Sequence, residues 1–293
     1  MRKAFSLFPL ATLVLASGAL SAAPTVAPSG DASGQEVAPK VRAPEAGPLK
    51  RAIHAVAHEA GRYFSDSVGM ATAPAHWTKT DWEKFAGFTI VLGGLIAADE
   101  NIDRAAQNNR SDFTNHVAGA TTSFGGGNGT KAAIAAIGAG LVFRSPDLRD
   151  TGREALEASI LTALVGNYVI KPLFGRERPY QSNGTTDFDL MSSNSSFPSG
   201  HTTQAFALAS VVAARSKGWV IPTVAYTLAS VVAFDRVNDH VHFASDVFAG
   251  AAFGTVVGKF IVHKHEREAT GEPSKSSLDI VPIRNGLAAR LTF

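Results

Sequence analysis

The stretch FPSGHTTQAFALASVVAAR, residues 197–215, decides the fold because a polar turn leads directly into an apolar helix. Its first part, PSGH at 198–201, combines a rigid residue, a hydroxyl, a glycine and an imidazole. Its second part stays apolar for longer than a typical strand. The free N–H groups and the dipole at a helix start favour an anion, and glycine lets the backbone approach it closely. The stretch therefore predicts a helix that begins at an anion-binding corner.

Other apolar segments of 10 to 17 residues recur along the chain, separated by polar or Gly/Pro-containing stretches. Their lengths predict helices rather than strands, so the expected fold is an all-α helical bundle. A membrane span needs about 20 predominantly apolar residues. Because Pro222 and Lys259 also interrupt two of the runs, buried helices are favoured over membrane spans, although the many small residues keep the second alternative open. The segments are Phe85–Ala98, Ala132–Phe143, Ala158–Ile170, Ala205–Ala214, Gly218–Phe234 and Val247–Val262.

The two ends of the chain differ from this helical part. Residues 1–23 combine Arg2 and Lys3, a short apolar run and small residues before a cleavage point near Ala23, which predicts an export signal. Residues 24–48 are rich in Pro, Ala, Gly and Ser and are typical of a disordered linker. The exported chain would act outside the cytoplasm, in the periplasm of a bacterium with two membranes.

Residues 49–270 form the expected helical domain, and residues 271–293 form a tail. The tail places Asn285-Gly286 between two short alternating segments, which predicts a β-hairpin. We interpret it as a small accessory hairpin, since a single hairpin cannot close a membrane barrel.

The composition excludes several classes of function. The chain of 293 residues contains no cysteine, which excludes disulfides, thiolate nucleophiles and cysteine-ligated metals. The formal net charge of +2 equals the contribution of the two N-terminal cations, so the exported chain would be neutral. A neutral chain argues against nucleic acid as a partner.

Three cations stand in polar stretches between the apolar segments. Lys171 and Arg178 belong to KPLFGRERP (171–179), and Arg236 belongs to RVNDHVHFASD (236–246). Cations near a core are costly unless an anion meets them. Together with Ser199 and Gly200 at the helix start, they predict a pocket for a tetrahedral oxyanion, most simply phosphate.

Two histidines complete this pattern. His242 and Asp246 are four residues apart and would share one face if a helix has begun there. A carboxylate bonded to one imidazole nitrogen orients the other nitrogen for attack on phosphorus. His201 can then protonate the departing alkoxide and activate water for the second step. A serine-hydrolase interpretation of Ser199 fails because no G-x-S-x-G elbow surrounds it and the three cations stay unexplained.

The order Lys-x6-Arg-Pro, Pro-Ser-Gly-His and Arg-x5-His-x3-Asp resembles the type 2 phosphatidic acid phosphatase superfamily, which includes bacterial class A acid phosphatases and vanadium haloperoxidases. The resemblance runs from Lys171 to Asp246 and implies a phosphatase with a phosphohistidine intermediate. By this resemblance His242 is the nucleophile, Asp246 its orienting partner and His201 the general acid. The implied phosphate ligands are Lys171, Arg178, Ser199, Gly200 and Arg236, and no metal or other cofactor is implied.

The resemblance leaves the substrate open. The apolar helices favour a lipid phosphate, such as phosphatidate or a polyprenyl pyrophosphate, and a membrane surface as a partner. A soluble, non-specific acid phosphatase acting on small phosphomonoesters is the main alternative. A vanadate-dependent haloperoxidase and a non-catalytic anion-binding protein are weaker alternatives.

Two acidic features need comment, a single residue and a cluster. The family usually has serine before the third-motif arginine, whereas this chain has Asp235, which would pair with Arg236 or weaken the local positive potential. Asp99, Glu100 and Asp103 follow an apolar segment, and we expect them to form a solvated helix end.

Overall fold

The computed structural model describes residues 48–122, 127–182, 184–271, 277–283 and 286–292, and its domain is helical as expected. The predicted export signal and residues 24–47 of the predicted linker lie outside the described residues. The helices are α1 (Pro48–Thr72), α2 (Lys79–Asn108), α3 (Asp112–Thr122), α4 (Gly127–Val142), α5 (Pro146–Val165), α6 (Lys171–Phe174), α7 (Gly200–Arg215), α8 (Val220–Asn238) and α9 (Ala244–Ala269), with a 3-10 turn at Ala73–His76.

Helices α5, α7 and α9 form the centre of the domain, and α4 packs against α5. Alanines and branched aliphatic residues form their contact, with Ala158, Ala207 and Val257 at 0% exposure. Small side chains allow the helix backbones to approach closely.

A stripe of glycines on α9 brings this helix against α7. A Cβ atom at Gly250 would lie 2.7 Å from the carbonyl oxygen of Ser199, and one at Gly258 would lie 2.5 Å from that of Ala207. A Cβ at Gly254 would overlap the carbonyl oxygen of Thr203. The α7–α9 spacing is therefore set by glycine, and it fixes the distance between the first turns of the two helices, where the PSGH corner and Asp246 lie.

Helix α5 continues into α6 through one π-helical turn, Gly166–Ile170. Such turns shift the helical register and frequently occur at functional sites. The helix then ends at Gly175, whose φ of 55° is the left-handed conformation that glycine adopts without strain. The π turn and this cap direct Lys171 and the chain after it towards the start of α7.

The expectation that the apolar segments are buried in a bundle is wrong for α2 and α8. Only 6% of the most apolar 18-residue stretch of α2 is buried, and 22% of that of α8. Ile90 on α2 and Trp219 before α8 are each 75% exposed. Helices α2, α8 and α9 are long and apolar enough to cross a membrane.

The physical reason for this correction is helix length. Pro222 does not break α8, because it lies in the first turn, where proline is tolerated. Helix α2 extends beyond its apolar run to 30 residues, which at 1.5 Å per residue is about 45 Å. Counting only uninterrupted apolar residues underestimated the lengths of the helices.

The C-terminal tail contains two strands, β1 (Ser277–Ile283) and β2 (Gly286–Thr292), which pair antiparallel with Ser277 opposite Thr292 and Ile283 opposite Gly286. The predicted turn residue Asn285 lies outside the described residues.

Candidate active site

The three polar stretches meet at the ends of α6, α7, α8 and α9. The N–H of Ser199 donates to the carbonyl oxygen of Asp246 at 3.0 Å, which joins the start of α7 to the start of α9. The N–H of His242 donates to the carbonyl oxygen of Arg236 at 3.2 Å, which closes the turn between α8 and α9. Backbone hydrogen bonds thus hold the second and third motifs together.

Lys171 reaches the start of α7. Its Nζ lies 3.4 Å from the position that a Cβ atom of residue 200 would occupy. Glycine at this position therefore leaves room for the ammonium group beside the first N–H groups of the helix, which have no partner within the helix. Burial, followed by the charge of Arg178, lowers the pKa of Lys171.

His201 lies among the predicted cations. Burial lowers its pKa to about 4, assisted by the positive charge of Arg236, by any proton on His242, and by the charges of Lys171 and Arg178. Charged groups shift the pKa of an imidazole in this way only over a short distance. The predicted acid and the three predicted cations therefore belong to one cluster, and without an anion His201 is neutral at pH 7.

His242 is almost fully enclosed, with 2% exposure. Burial lowers its pKa, Asp246 opposes this shift, and Arg178 and Lys171 reinforce it. A buried imidazole with a lowered pKa is neutral at pH 7 and keeps a lone pair for a nucleophilic step.

The contact between His242 and Asp246 differs from the expected one. Helix α9 begins at Ala244, so the two residues do not share a helix face. The Nδ1 of His242 lies 3.8 Å from Asp246 Oδ2, which is too long for a hydrogen bond. Ser196 lies beside both: its Oγ donates to Asp246 Oδ2 at 2.6 Å and is 3.5 Å from the same Nδ1. The sequence analysis missed Ser196, which stands three residues before Ser199.

Arg176 is the main residue that the sequence analysis missed. It is 1% exposed, and its guanidinium donates to Asp99 and Asp246 at 2.7 Å each and to Ser245 at 2.6 Å. Its Cζ also lies 4.2 Å from the centroid of the Phe243 ring. Arg176 therefore fixes the carboxylate that stands beside the buried His242.

Asp99 is fully buried, so the expected solvated helix end is wrong at this position. Its carboxylate accepts from the N–H of Ser245 at 2.9 Å as well as from Arg176. The neighbouring Glu100 is exposed and pairs with Arg104, so it is solvated as expected, although the helix continues to Asn108. The sequence signal for Asp99 was only that an acid follows directly on an apolar segment.

Asp235 pairs with Arg236, which was one of the two outcomes considered for the departure from serine. Its carboxylate accepts from Arg236 Nε at 3.0 Å and from Nη2, and both residues are buried. The guanidinium is thus held in place by its own neighbour, although part of its charge is neutralised.

A pocket of about 230 Å³ opens beside this cluster, between α5, the π turn and the start of α7. Lys171, Gly200 and His201 form part of its wall. The other five predicted site residues lie outside the wall, so the pocket reaches the cluster from the side of His201: Arg178, Ser199, Arg236, His242 and Asp246.

A second polar cluster lies on α1, α5 and α9. Ligand atoms of Asp66, Glu157 and His265 lie within 4.8 Å of one another, a spacing suited to a metal ion. Arg62 Nη2, however, lies 2.8 Å from His265 Nε2. Burial and the adjacent Asp66 raise the pKa of Glu157 to about 10. The proton on Glu157 and the neighbouring cations therefore balance the negative charge of the carboxyl groups in this cluster.

Part of the chain, including the candidate site, is similar to a known protein family. Residues 155–269 match the model of the PAP2 superfamily, and this range includes all eight predicted site residues. The resemblance to this superfamily, inferred from the three motifs, is confirmed.

Two relatives illustrate the match. The chain is 36% identical over 114 residues to the lipid A 1-phosphatase of Porphyromonas gingivalis; this covers 37% of the chain and only 23% of that relative. The crystal structure of the transmembrane PAP2 type phosphatidylglycerolphosphate phosphatase from Bacillus subtilis aligns with a TM-score of 0.50 and 27% identity, over 62% of this chain and 94% of that chain.

Replacing Arg176 tests the buried network. Arg176→Met leaves Asp99 and Asp246 buried without their shared cation, so we expect the free energy of unfolding to fall by about 3–5 kcal/mol. Thermal or denaturant unfolding in detergent measures the loss. Arg104→Met is the matched control, because it breaks an exposed arginine–carboxylate pair that contributes at most about 1 kcal/mol. Equal effects of the two variants would contradict the importance of the buried network.

Proposed function

We propose that this chain, which carries a PAP2 superfamily segment at residues 155–269, is a phosphatase that hydrolyses phosphate monoesters of lipids at a membrane. The observation that supports this proposal best is a neutral, buried His242 next to a cluster of three cations and a second histidine. A phosphoryl group needs positioning and charge stabilisation more than covalent chemistry, and this cluster supplies both.

Substrate binding comes first. Lys171, Arg178 and Arg236 hold the phosphate oxygens, together with the N–H groups at the start of α7. The Ser199 N–H does not bind the phosphate, because it donates its hydrogen bond to the main-chain carbonyl oxygen of Asp246. The three cations stabilise the negative charge on the equatorial oxygens in the transition state.

Phosphoryl transfer to the enzyme follows. The Nε2 of His242 attacks phosphorus, a P–N bond forms and the P–O bond to the alcohol breaks. His201 gives its proton to the departing alkoxide. Asp246 and Ser196 lie on the Nδ1 side of His242, where they keep the ring oriented and stabilise the charge that it acquires.

Hydrolysis of the phosphohistidine completes the cycle. His201, now neutral, removes a proton from water as the water oxygen attacks phosphorus. The P–N bond breaks, inorganic phosphate forms and His242 returns to its neutral form.

The lipid part of the proposal depends on the apolar helices. Helices α2 and α8 carry most of their apolar side chains on the outside, where lipid would remove them from water. We place these helices and α9 in the membrane, with residues 49–270 as the catalytic domain. Export by residues 1–23 would place the site on the periplasmic side.

His242→Ala tests the nucleophile. We expect turnover to be lost completely, and rapid acid-free quenching of wild-type protein with a ³²P-labelled lipid phosphate to trap a labelled, acid-labile protein that the variant does not form. His263→Ala, on the exposed end of α9, is the control and should keep full activity. A His242→Ala variant with near-normal turnover would refute the assignment.

His201 determines the pH dependence. Its pKa of about 4 in the free protein means that the protonated fraction falls as the pH rises, so kcat/KM for an alkyl phosphate should fall towards alkaline pH. The negative charge of bound phosphate opposes the surrounding cations, so the fall in kcat should lie at higher pH.

A matched pair of substrates isolates this role. His201→Gln should lower kcat for an alkyl phosphate by about 10²–10⁴-fold. It should affect a nitrophenyl phosphate much less, because nitrophenolate departs without a proton. An equal loss on both substrates would exclude His201 as the general acid.

Membrane fractionation tests the placement of the helices. We expect the chain to stay in the membrane pellet after washing with alkaline carbonate and to need detergent for release, because three of its helices are long and apolar enough to span the bilayer. Recovery of the active protein in the carbonate supernatant would favour the soluble alternative.

A further inference from the structure

The turn between α8 and α9 contains a residue in a strained backbone conformation. His240, two positions before the proposed nucleophile His242, has a φ of 60°. This is the left-handed region, which glycine occupies without strain and which other residues occupy at a cost. Strained residues persist only where the surrounding structure holds them, and they cluster at active sites. The contacts of His240 therefore bear on the function of the neighbouring His242.

His240 ends α8 in a Schellman motif. Its N–H donates to the carbonyl oxygen of Val237 at 3.0 Å, and the N–H of Val241 donates to that of Arg236 at 3.2 Å. The N–H of His242 donates to the same Arg236 oxygen at 3.2 Å. The first two bonds are the pattern with which a left-handed residue caps a helix. The conformation of His240 thus fixes the direction in which the chain leaves Arg236, a proposed phosphate ligand, and reaches His242.

The side chain of His240 is held by α2. Its Nδ1 lies 2.8 Å from Oδ1 of Asp103, and since a carboxylate only accepts, Nδ1 donates the hydrogen. The two side chains are partly enclosed, with 32% exposure for His240 and 17% for Asp103. Like Asp99, Asp103 is therefore turned inwards instead of forming the expected solvated helix end.

A row of polar side chains on α2 faces the same part of the structure. Asp99, Asp103 and Gln107 are spaced by four residues, so they lie on one face of the helix. Gln107 Nε2 donates to the carbonyl oxygen of Val237 at 3.2 Å, and Asp99 accepts from the N–H of Ser245 at 2.9 Å. Helix α2 therefore holds the end of α8, the turn and the start of α9 at three successive points, and Asp103 holds the turn itself.

We propose that Asp103 and His240 form a positioning pair for the nucleophile, which keeps the turn in its left-handed form and thereby places the His242 imidazole relative to phosphorus. This inference rests on the proposed function. Both residues act through the backbone of the turn and not on the substrate. The Arg236 guanidinium is held by Asp235, so it keeps its place without the pair. Loss of the pair should therefore slow the attack on phosphorus and leave phosphate binding intact.

Single-turnover kinetics of the full chain in detergent test the proposal. With enzyme in excess over nitrophenyl phosphate, the rate of nitrophenolate release measures phosphoryl transfer to His242, because this leaving group needs no proton. Asp103→Ala should lower this rate about tenfold, as expected for a misplaced nucleophile, and leave the inhibition constant of inorganic phosphate unchanged. Asp103→Asn keeps an oxygen that accepts from His240 and should retain most of the wild-type rate.

His240→Gly separates positioning from stability. Glycine suits the left-handed position better than histidine, which offsets the lost contact, so the midpoint of thermal unfolding should stay near that of the wild type. The rate of nitrophenolate release should nevertheless fall about as much as in Asp103→Ala. Combining the two changes should lower the rate little further, because both remove the same contact.

Glu100→Ala is the control variant, because it removes an exposed carboxylate from the same helix, and it should leave the rate unchanged. The inference would be overturned, and the proposed function left intact, by an unchanged rate in Asp103→Ala or His240→Gly, by multiplicative effects of the two changes, or by an equal loss of phosphate binding. Failure of the folded wild type to release nitrophenolate, or a wild-type rate in His242→Ala, would overturn both.

Discussion

The site depends on one buried guanidinium. Arg176 lies between Asp99 from α2 and Asp246 from α9, at 2.7 Å from each. The desolvation of three charges is tolerated only because each is paired and hydrogen-bonded. The network also connects α2, an outer apolar helix, to α9, which carries the carboxylate beside His242. The orientation of the proposed nucleophile is therefore coupled to the position of α2.

Close packing of α7 against α9 has a comparable role at the level of the backbone. The glycine stripe on α9 lets the first turns of the two helices lie side by side, so that the PSGH corner and His242 face the same space. Larger residues at these positions would push the helices apart and so disturb the site even with every catalytic side chain in place. The small residues that we first considered as a possible sign of membrane packing thus serve the site directly.

The sequence alone was sufficient for the helical fold and for the motifs, because helical periodicity and ordered spacing are local signals. Three features were beyond it. Asp99 and Arg176 are separated by 77 positions, so nothing local shows that they pair. Ser196 has no partner within its own segment. The exposed apolar surface of α8 was hidden by Pro222, which interrupts the apolar run in the sequence but lies in the first turn of the helix.

The Ser199–Asp246 contact has a practical consequence for dissecting this protein. Because the bond runs from a main-chain N–H to a main-chain carbonyl, no exchange of side chains at either residue removes it, except for proline at 199, which lacks the N–H. The hydrogen bond between the first turns of α7 and α9 therefore does not depend on which side chains these two residues carry. Changes at these two positions therefore report on hydroxyl and carboxylate chemistry separately from the alignment of the two helices.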